Sequence, residues 1–169
     1  MAGYPGTQNA STVVVESIDT REWPQLLREG ASEVFEMMVG LPLLSCPPSS
    51  TPPPVEFTAV VGIAGAISGV FSIRCDQKTA FGIACGMLGV ELSEAGGEMW
   101  DALGELCNMV IGNFKAKTGK VGESAVLSVP TVIHGHDYEV RPLVNGSRIE
   151  CLMRTADGNL SLRLDYRLS

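Results

Sequence analysis

Hydrophobic positions along the chain recur in two periods, and these predict where helices and strands lie. A spacing of three and four residues predicts a helix that follows an N-cap at Asp19-Thr20 and runs to about Val39. The same spacing predicts a small-residue helix over 76–88 and a long helix from Ser93 to about Lys117. Apolar runs and period-two alternation predict five strands, at Phe57–Ala64, Val70–Cys75, Ala125–Ile133, Arg148–Arg154 and Leu160–Leu168.

The order of these elements indicates the fold class. Helices and strands fall in blocks and do not alternate regularly, which is typical of an α+β fold. We expect residues 1–18 to form a flexible or loosely attached N-terminal segment and residues 19–169 to form one domain. The proline-rich stretch 47–54 reads as a stiff loop inside that domain, because the segment before it is too short for a core of its own.

Composition narrows the class of partner. The chain has 169 residues, of which 45% are hydrophobic and 18% charged, as in ordinary globular proteins. Its net charge of −7 argues against nucleic acid as a partner, and no apolar run reaches the ~18 residues that span a bilayer. The start of the chain lacks the pattern of a secretory signal, and the five cysteines form no CxxC pair. We therefore expect a cytoplasmic protein with reduced thiols.

The most informative stretch is the polar stripe of the long helix. At ~100° per residue, Asp101, Glu105, Asn108 and Gly112 fall within about 60° of one another. The opposite side carries the apolar residues expected to face the core: Met99, Leu103, Leu106, Val110 and Phe114. The carboxylate at 105 could hold a cation, while the carboxamide one turn later could orient a water molecule. A pair of this kind is also common on solvated helix surfaces, so the spacing alone leaves both interpretations open.

A weak internal repeat links the two longer helices. A shift of 72 residues places Glu33 over Glu105 and Gly40 over Gly112. At the position of Asn108, however, the first copy has Glu36. Short amphipathic helices match by chance often enough that the sequence leaves the duplication open.

The stretch 101–113, D-A-L-G-E-L-C-N-M-V-I-G-N, resembles the CheC/CheX/FliY family of chemotaxis phosphatases, and most closely its CheX branch. The resemblance implies a pseudo-twofold α+β fold with long helices packed on a mainly antiparallel sheet. It also implies that only the second helix carries the motif and that the protein forms homodimers through its sheet. An unpaired edge strand would serve for this, with Ala125–Ile133 and Leu160–Leu168 as candidates.

By the same resemblance, the substrate is a phosphorylated CheY-like receiver domain whose aspartyl phosphate is hydrolysed. Asn108 would orient the attacking water and Glu105 would dock on the receiver lysine. We expect Asp101, Gly112 and Asn113 at the partner contact, with Gly112 and Asn113 serving close approach and helix geometry; the alternative for Asp101 is a solvated carboxylate. No cofactor is expected on this chain, and Mg²⁺ is expected in the partner receiver. The alternative is a non-catalytic module that binds a receiver or another motility component through the same helix.

Three other features suggest chemistry, but each has a simpler interpretation. The turn His134-Gly-His136-Asp137 could hold a transition metal, although spacing indicates no third ligand, and a surface turn is the preferred interpretation. The glycine-rich stretch 62–69 lacks the ending of a phosphate loop and joins two strands. Cys107 lies beside Asn108, but its helical position points inward, which favours a core thiol over a nucleophile.

Overall fold

The computed structural model describes residues 18–91, 93 and 96–169. The helices are α1 (Trp23–Val34, followed by a π-helical turn over Phe35–Val39), α2 (Gln77–Leu88), α3 (Glu98–Lys117) and the short α4 (Lys120–Glu123). The strands are β1 (Leu44–Ser45), β2 (Phe57–Ala64), β3 (Ile67–Cys75), β4 (Val126–Leu127), β5 (Thr131–His134), β6 (Ser147–Arg154) and β7 (Asn159–Leu168). No helix in this part of the chain is long and apolar enough to cross a membrane.

All seven strands join one antiparallel sheet, which confirms the predicted α+β class. The order is β1-β6-β7-β3-β2, and both β4 and β5 pair with the outer side of β2. The two longest strands, β3 and β7, lie at the centre and are paired over their whole length from Ile67↔Leu168 to Cys75↔Leu160. Strand β7 is thus flanked on both sides, so Leu160–Leu168, one of the two candidate edge strands for a dimer, is not an edge strand.

The sheet order has the internal symmetry that a duplication would produce. If β1 is exchanged with β5, β2 with β6 and β3 with β7, the order reads the same from the opposite edge. One strand of each half also pairs with a strand of the other half: β1 pairs with β6, and β5 pairs with β2. Burial repeats at the same 72-residue shift, where buried Leu27 corresponds to Met99 and buried Val34 to Leu106. The repeat that the sequence left open is therefore visible in the topology.

The core lies between the sheet and the helices. Leu160, Leu162, Leu164 and Tyr166 alternate along the inner face of β7, as their period-two spacing predicted, and all four are buried. Trp23 of α1 connects the layers, with ring centroids 5.0 Å from Tyr166 and 5.5 Å from Phe114 of α3. Fully burying a large apolar side chain contributes about 1.5–3 kcal/mol, so this packing fixes α3 on the sheet.

Several predicted boundaries were wrong, each for a local reason. The long helix begins at Glu98 and not at Ser93, with Gly97 as its N-cap; Glu94 lies outside the described residues. The single strand predicted at 125–133 is two short strands, because Pro130 between them has no N–H to pair. Asp19 does not cap α1 but accepts hydrogen bonds from Arg21. Apart from Ile18, the N-terminal segment 1–18 lies outside the described residues.

Candidate functional site

Helix α3 presents the polar stripe to the outside, as its periodicity predicted. The apolar residues predicted to face the core, Met99, Leu103, Leu106, Val110 and Phe114, are all buried, and Asp101 and Glu105 are exposed. Acidic residues occupy the first turn of the helix and Lys115 and Lys117 the last, an arrangement that the helix dipole favours. The stripe is therefore acidic toward the N-terminal end of the helix, whereas Lys117 at the other end points to Glu33 of α1.

Glu105 and Asn108 are available for contacts outside the chain. Glu105 is exposed and Asn108 is half-buried. Among the described residues, the side-chain hydrogen bonds of α3 are made by Cys107, Asn113 and Lys117, and none involves Glu105 or Asn108. The carboxylate and the carboxamide thus project from one stripe with no partner in the described part of the chain.

Asn113 points toward α1. Its Nδ2 donates to the Gly30 carbonyl at 3.2 Å and to Glu33 Oε2 at 3.0 Å, while Lys117 Nζ donates to Glu33 Oε1 at 2.7 Å. These hydrogen bonds, from Lys117 first and Asn113 second, lower the pKa of Glu33. Three side chains thus join the two helices, and Asn113 has an intramolecular role that the sequence did not reveal. Gly112, by contrast, faces open space, since an added Cβ would meet nothing within 4 Å.

A cleft of about 480 Å³ adjoins Glu105 on α3. We name it the α3 cleft; it is lined by Trp100, Asp101, Gly104, Glu105, Pro130 and Val132. Gly104 allows the loop before β5 to approach the helix, because a Cβ there would stand 3.3 Å from Pro130. The half-buried Trp100 and Val132 supply apolar walls, and the two exposed carboxylates supply charge.

The first half of the chain has a counterpart of this cleft. We name it the α1 cleft; it measures about 410 Å³ and is lined by Gln25, Arg28, Glu29, Ser32, Glu33, Glu36 and Ser45. At the 72-residue shift, Arg28 corresponds to Trp100, Glu29 to Asp101 and Glu33 to Glu105. The α1 cleft is therefore polar where the α3 cleft is apolar, and its Glu33 is already bound by Asn113 and Lys117.

The two histidines lie at the end of β5, where His134 is its last residue, and in the turn that follows it, where His136 lies. His134 stacks on Phe57 with ring centroids 4.4 Å apart and meets the edge of Trp100 at 5.3 Å. His136 Nδ1 lies 3.4 Å from Glu56 Oε1. Within the described residues, no group of three or more histidine, cysteine, aspartate or glutamate side chains is placed to hold a metal ion.

Cys107 is a core thiol, as its helical position predicted. It is fully buried, its Sγ donates to the Ala59 carbonyl at 3.4 Å, and burial raises its pKa. A thiol in this state is protonated at neutral pH and is not a nucleophile.

Sequence reasoning missed the apolar half of the α3 cleft. Trp100 and Val132 are 32 positions apart and carry no motif, so only the pairing of β5 with β2 reveals that they share a surface with Glu105. A usable signal was present at Gly104, since a glycine inside a strong helix pattern often marks a close approach.

Comparison with known proteins places this fold and this motif in a family. The family model described as chemotaxis phosphatase CheX matches residues 57–154, which is more than half of the chain and includes Glu105 and Asn108. A search among curated proteins found no significant match.

Among solved structures, the chemotaxis protein CheX from Vibrio vulnificus is similar over 89% of this chain and 100% of its own, with 25% identity and a TM-score of 0.75. CheX from Desulfovibrio desulfuricans matches over 86% and 99%, with 23% identity and a TM-score of 0.74. A CheX-CheY-BeF3-Mg complex from Borrelia burgdorferi matches over 89% and 99%, with 19% identity and a TM-score of 0.67. With the family match over 57–154, these findings show that the chain belongs to the CheX family of chemotaxis phosphatases.

Proposed function

We propose that this protein hydrolyses the aspartyl phosphate of a CheY-like response regulator, with Asn108 orienting the attacking water and Glu105 docking on the receiver lysine. The observation that carries the proposal is the Glu105–Asn108 pair on the polar stripe of α3, which makes no side-chain hydrogen bond to the described residues, in a chain of the CheX family. The similar Borrelia burgdorferi structure is a complex of CheX with CheY, which supports a receiver as the partner.

The chemistry requires little from this chain beyond positioning. A water oxygen forms a bond to phosphorus, the bond from phosphorus to the aspartyl oxygen breaks, and the products are a free carboxylate and inorganic phosphate. The receiver would supply the Mg²⁺ and the lysine that stabilise the transferring group. Asn108 would accept a hydrogen bond from the water with its carbonyl, and holding that water in line lowers the barrier as in other phosphoryl transfers.

The pair on α1 does not meet this requirement. Glu36 stands where Asn108 stands in the second half, and a carboxylate there would be repelled by the anionic phosphoryl group. In addition, Glu33 is engaged by Asn113 and Lys117, so it is not free to dock a receiver lysine. We therefore infer one active pair per chain.

The test is phosphate release from a phosphorylated CheY-like receiver with Mg²⁺. We expect the wild type to accelerate release and Asn108→Ala to lose on the order of 10²-fold in rate, about 3 kcal/mol, as when a positioning group is removed. Glu105→Ala should act mainly by weakening docking. The matched control is Glu36→Ala, an exposed position on the α1 copy, which should release phosphate at the wild-type rate.

The alternative, a receiver-binding module without catalysis, gives a different result. Such a protein would bind the receiver through α3, and neither the wild type nor Asn108→Ala would change the rate of phosphate release. Equal acceleration by both proteins would instead show a phosphatase in which Asn108 is not the water-orienting group.

We also propose a homodimer through a sheet edge. Of the two candidate segments, only Ala125–Ile133 contributes edge strands, since β4 and β5 lie outside β2. Unpaired backbone groups of such a strand can pair with a second chain. Analytical ultracentrifugation of the wild type should give the mass of a dimer, and the mass of a monomer would contradict the proposal.

A further inference from the structure

We propose that the α3 cleft receives a long basic side chain of the receiver, an arginine or a lysine other than the lysine that Glu105 contacts. The stem would lie on Trp100, Pro130 and Val132, and the charged head would reach Asp101. This inference rests on the proposed function, because it assumes that a receiver docks on α3, and it adds a second contact that would select among receivers.

The lining of the cleft matches that ligand in both of its parts. Half-buried Trp100, Pro130 and Val132 form an apolar surface, and exposed Asp101 and Glu105 stand one helical turn apart beside it. Lysine and arginine bury their methylene stems on apolar surfaces while the charge stays near water. A tryptophan face also attracts a cation. A purely apolar side chain would leave the Asp101 carboxylate without a role in the contact.

The α1 cleft supports this assignment by contrast. It has the same place in the other half of the fold, but Arg28 replaces Trp100 and Ser32 replaces Gly104. An arginine in the wall of the cleft would repel a basic side chain, and its replacement of the tryptophan also removes the aromatic surface. The half of the chain that lacks the Glu–Asn pair thus also lacks the apolar wall, so the two features occur together on α3.

The charge balance of the cleft points the same way. Among the residues that the structure describes, the only ionisable groups lining the α3 cleft are the carboxylates of Asp101 and Glu105, and neither of them forms an ion pair there. One of these carboxylates is assigned to the receiver lysine, which leaves Asp101 for a second cation. An exposed ion pair contributes only about 0.2–1 kcal/mol, so most of the contact would come from the buried stem.

The experiment measures KM and kcat for phosphate release with three variants. Asp101→Asn removes the charge with little change in shape, and Trp100→Arg imports the α1 residue at the corresponding position. Glu29→Gln makes the same charge change in the α1 cleft and serves as the control. We expect Asp101→Asn to raise KM about 2- to 5-fold, Trp100→Arg to raise it at least about 10-fold, and both to leave kcat unchanged; Glu29→Gln should match the wild type.

A double-mutant cycle identifies the partner residue. Each exposed lysine and arginine of the receiver, apart from the phosphate-site lysine, is replaced by alanine and combined with Asp101→Asn. One of these positions should be coupled to Asp101: when it is replaced by alanine, Asp101→Asn no longer changes KM. Trp100 contacts Phe57 and His134, so the Tm of Trp100→Arg is measured as well. If Trp100→Arg is unfolded, the test rests on Asp101→Asn alone.

The outcomes separate this inference from the proposed function. If the wild type accelerates release but Asp101→Asn has a wild-type KM and couples to no receiver residue, the inference is overturned and the phosphatase stands. If the wild type binds a beryllofluoride-loaded receiver but does not accelerate phosphate release from the phosphorylated receiver, the proposed function fails, and the same variants are compared by Kd from isothermal titration calorimetry with the beryllofluoride-loaded receiver. Kd shifts like those expected for KM would support the contact, and unchanged values would overturn it.

Discussion

The contact between Asn113 and α1 yields a prediction that separates two roles for this residue. The resemblance placed Asn113 at the partner surface, whereas its Nδ2 donates to the Gly30 carbonyl at 3.2 Å and to Glu33 at 3.0 Å. Asn113→Ala removes both hydrogen bonds, and the part-buried bond to the Gly30 carbonyl alone contributes about 1 kcal/mol. For a chain of this size, a loss of 1 kcal/mol lowers Tm by about 2–4 °C.

The assay is thermal and urea unfolding of Asn113→Ala beside the wild type, followed by phosphate-release kinetics. We expect a lower Tm, an unchanged m-value and a KM close to that of the wild type. Ala116→Ser, on the exposed side of the same helix, is the control for a neutral change. A wild-type Tm together with a raised KM would refute the reasoning and return Asn113 to the partner contact.

The same contact should make stability depend on pH. Hydrogen bonds from Lys117 and Asn113 lower the pKa of Glu33 from its ordinary value of 4.5. A carboxyl group with a lowered folded-state pKa stabilises the fold above its unfolded pKa, and this contribution is lost as the pH falls through the folded value. The difference in unfolding free energy between wild type and Glu33→Gln should therefore be present at pH 6 and shrink toward pH 3. A difference that is the same at both pH values would contradict this.

Three further predictions concern other parts of the chain. Burial raises the pKa of three of the five thiols, so only the half-buried Cys46 and Cys85 should react quickly with a thiol reagent in the native protein. Quick reaction of all five thiols would contradict this packing. Gly69→Ala should prevent stable folding, because the added Cβ would overlap the Asp165 carbonyl of the neighbouring strand. If this variant unfolds in urea like the wild type, β3 and β7 are not paired at this position. Glu36→Asn should not create a second active pair. An increase in the phosphate-release rate would contradict this and show that the α1 copy can be made active.

The sequence predicted those parts of the fold that depend on local periodicity. The bounds of β2 follow from its apolar run, the inward residues of β7 from period-two spacing, and the buried face of α3 from its helical spacing. These patterns state which side of an element is apolar. They do not state which elements are neighbours.

Features that depend on distant pairing could not be predicted in this way. Strand β7 was a candidate edge strand, but it is paired on both sides, and its Asp165 is buried and accepts hydrogen bonds from Arg148 at 2.6 Å and Arg163 at 2.8 Å. The α3 cleft likewise needs Pro130 to meet Gly104, a contact between residues 26 positions apart. Glu105 and Asn108 were recognised because a helix sets their relation within a single turn.

The most direct test of the account is single-turnover release of phosphate from a phosphorylated receiver with Mg²⁺, at saturating wild-type protein or saturating Asn108→Ala. Saturation removes differences in docking, so the ratio of the two rates reports the positioning of water alone. The account predicts a ratio on the order of 10². Equal rates at saturation would contradict it, because the Asn108 carboxamide would then contribute nothing to the chemical step.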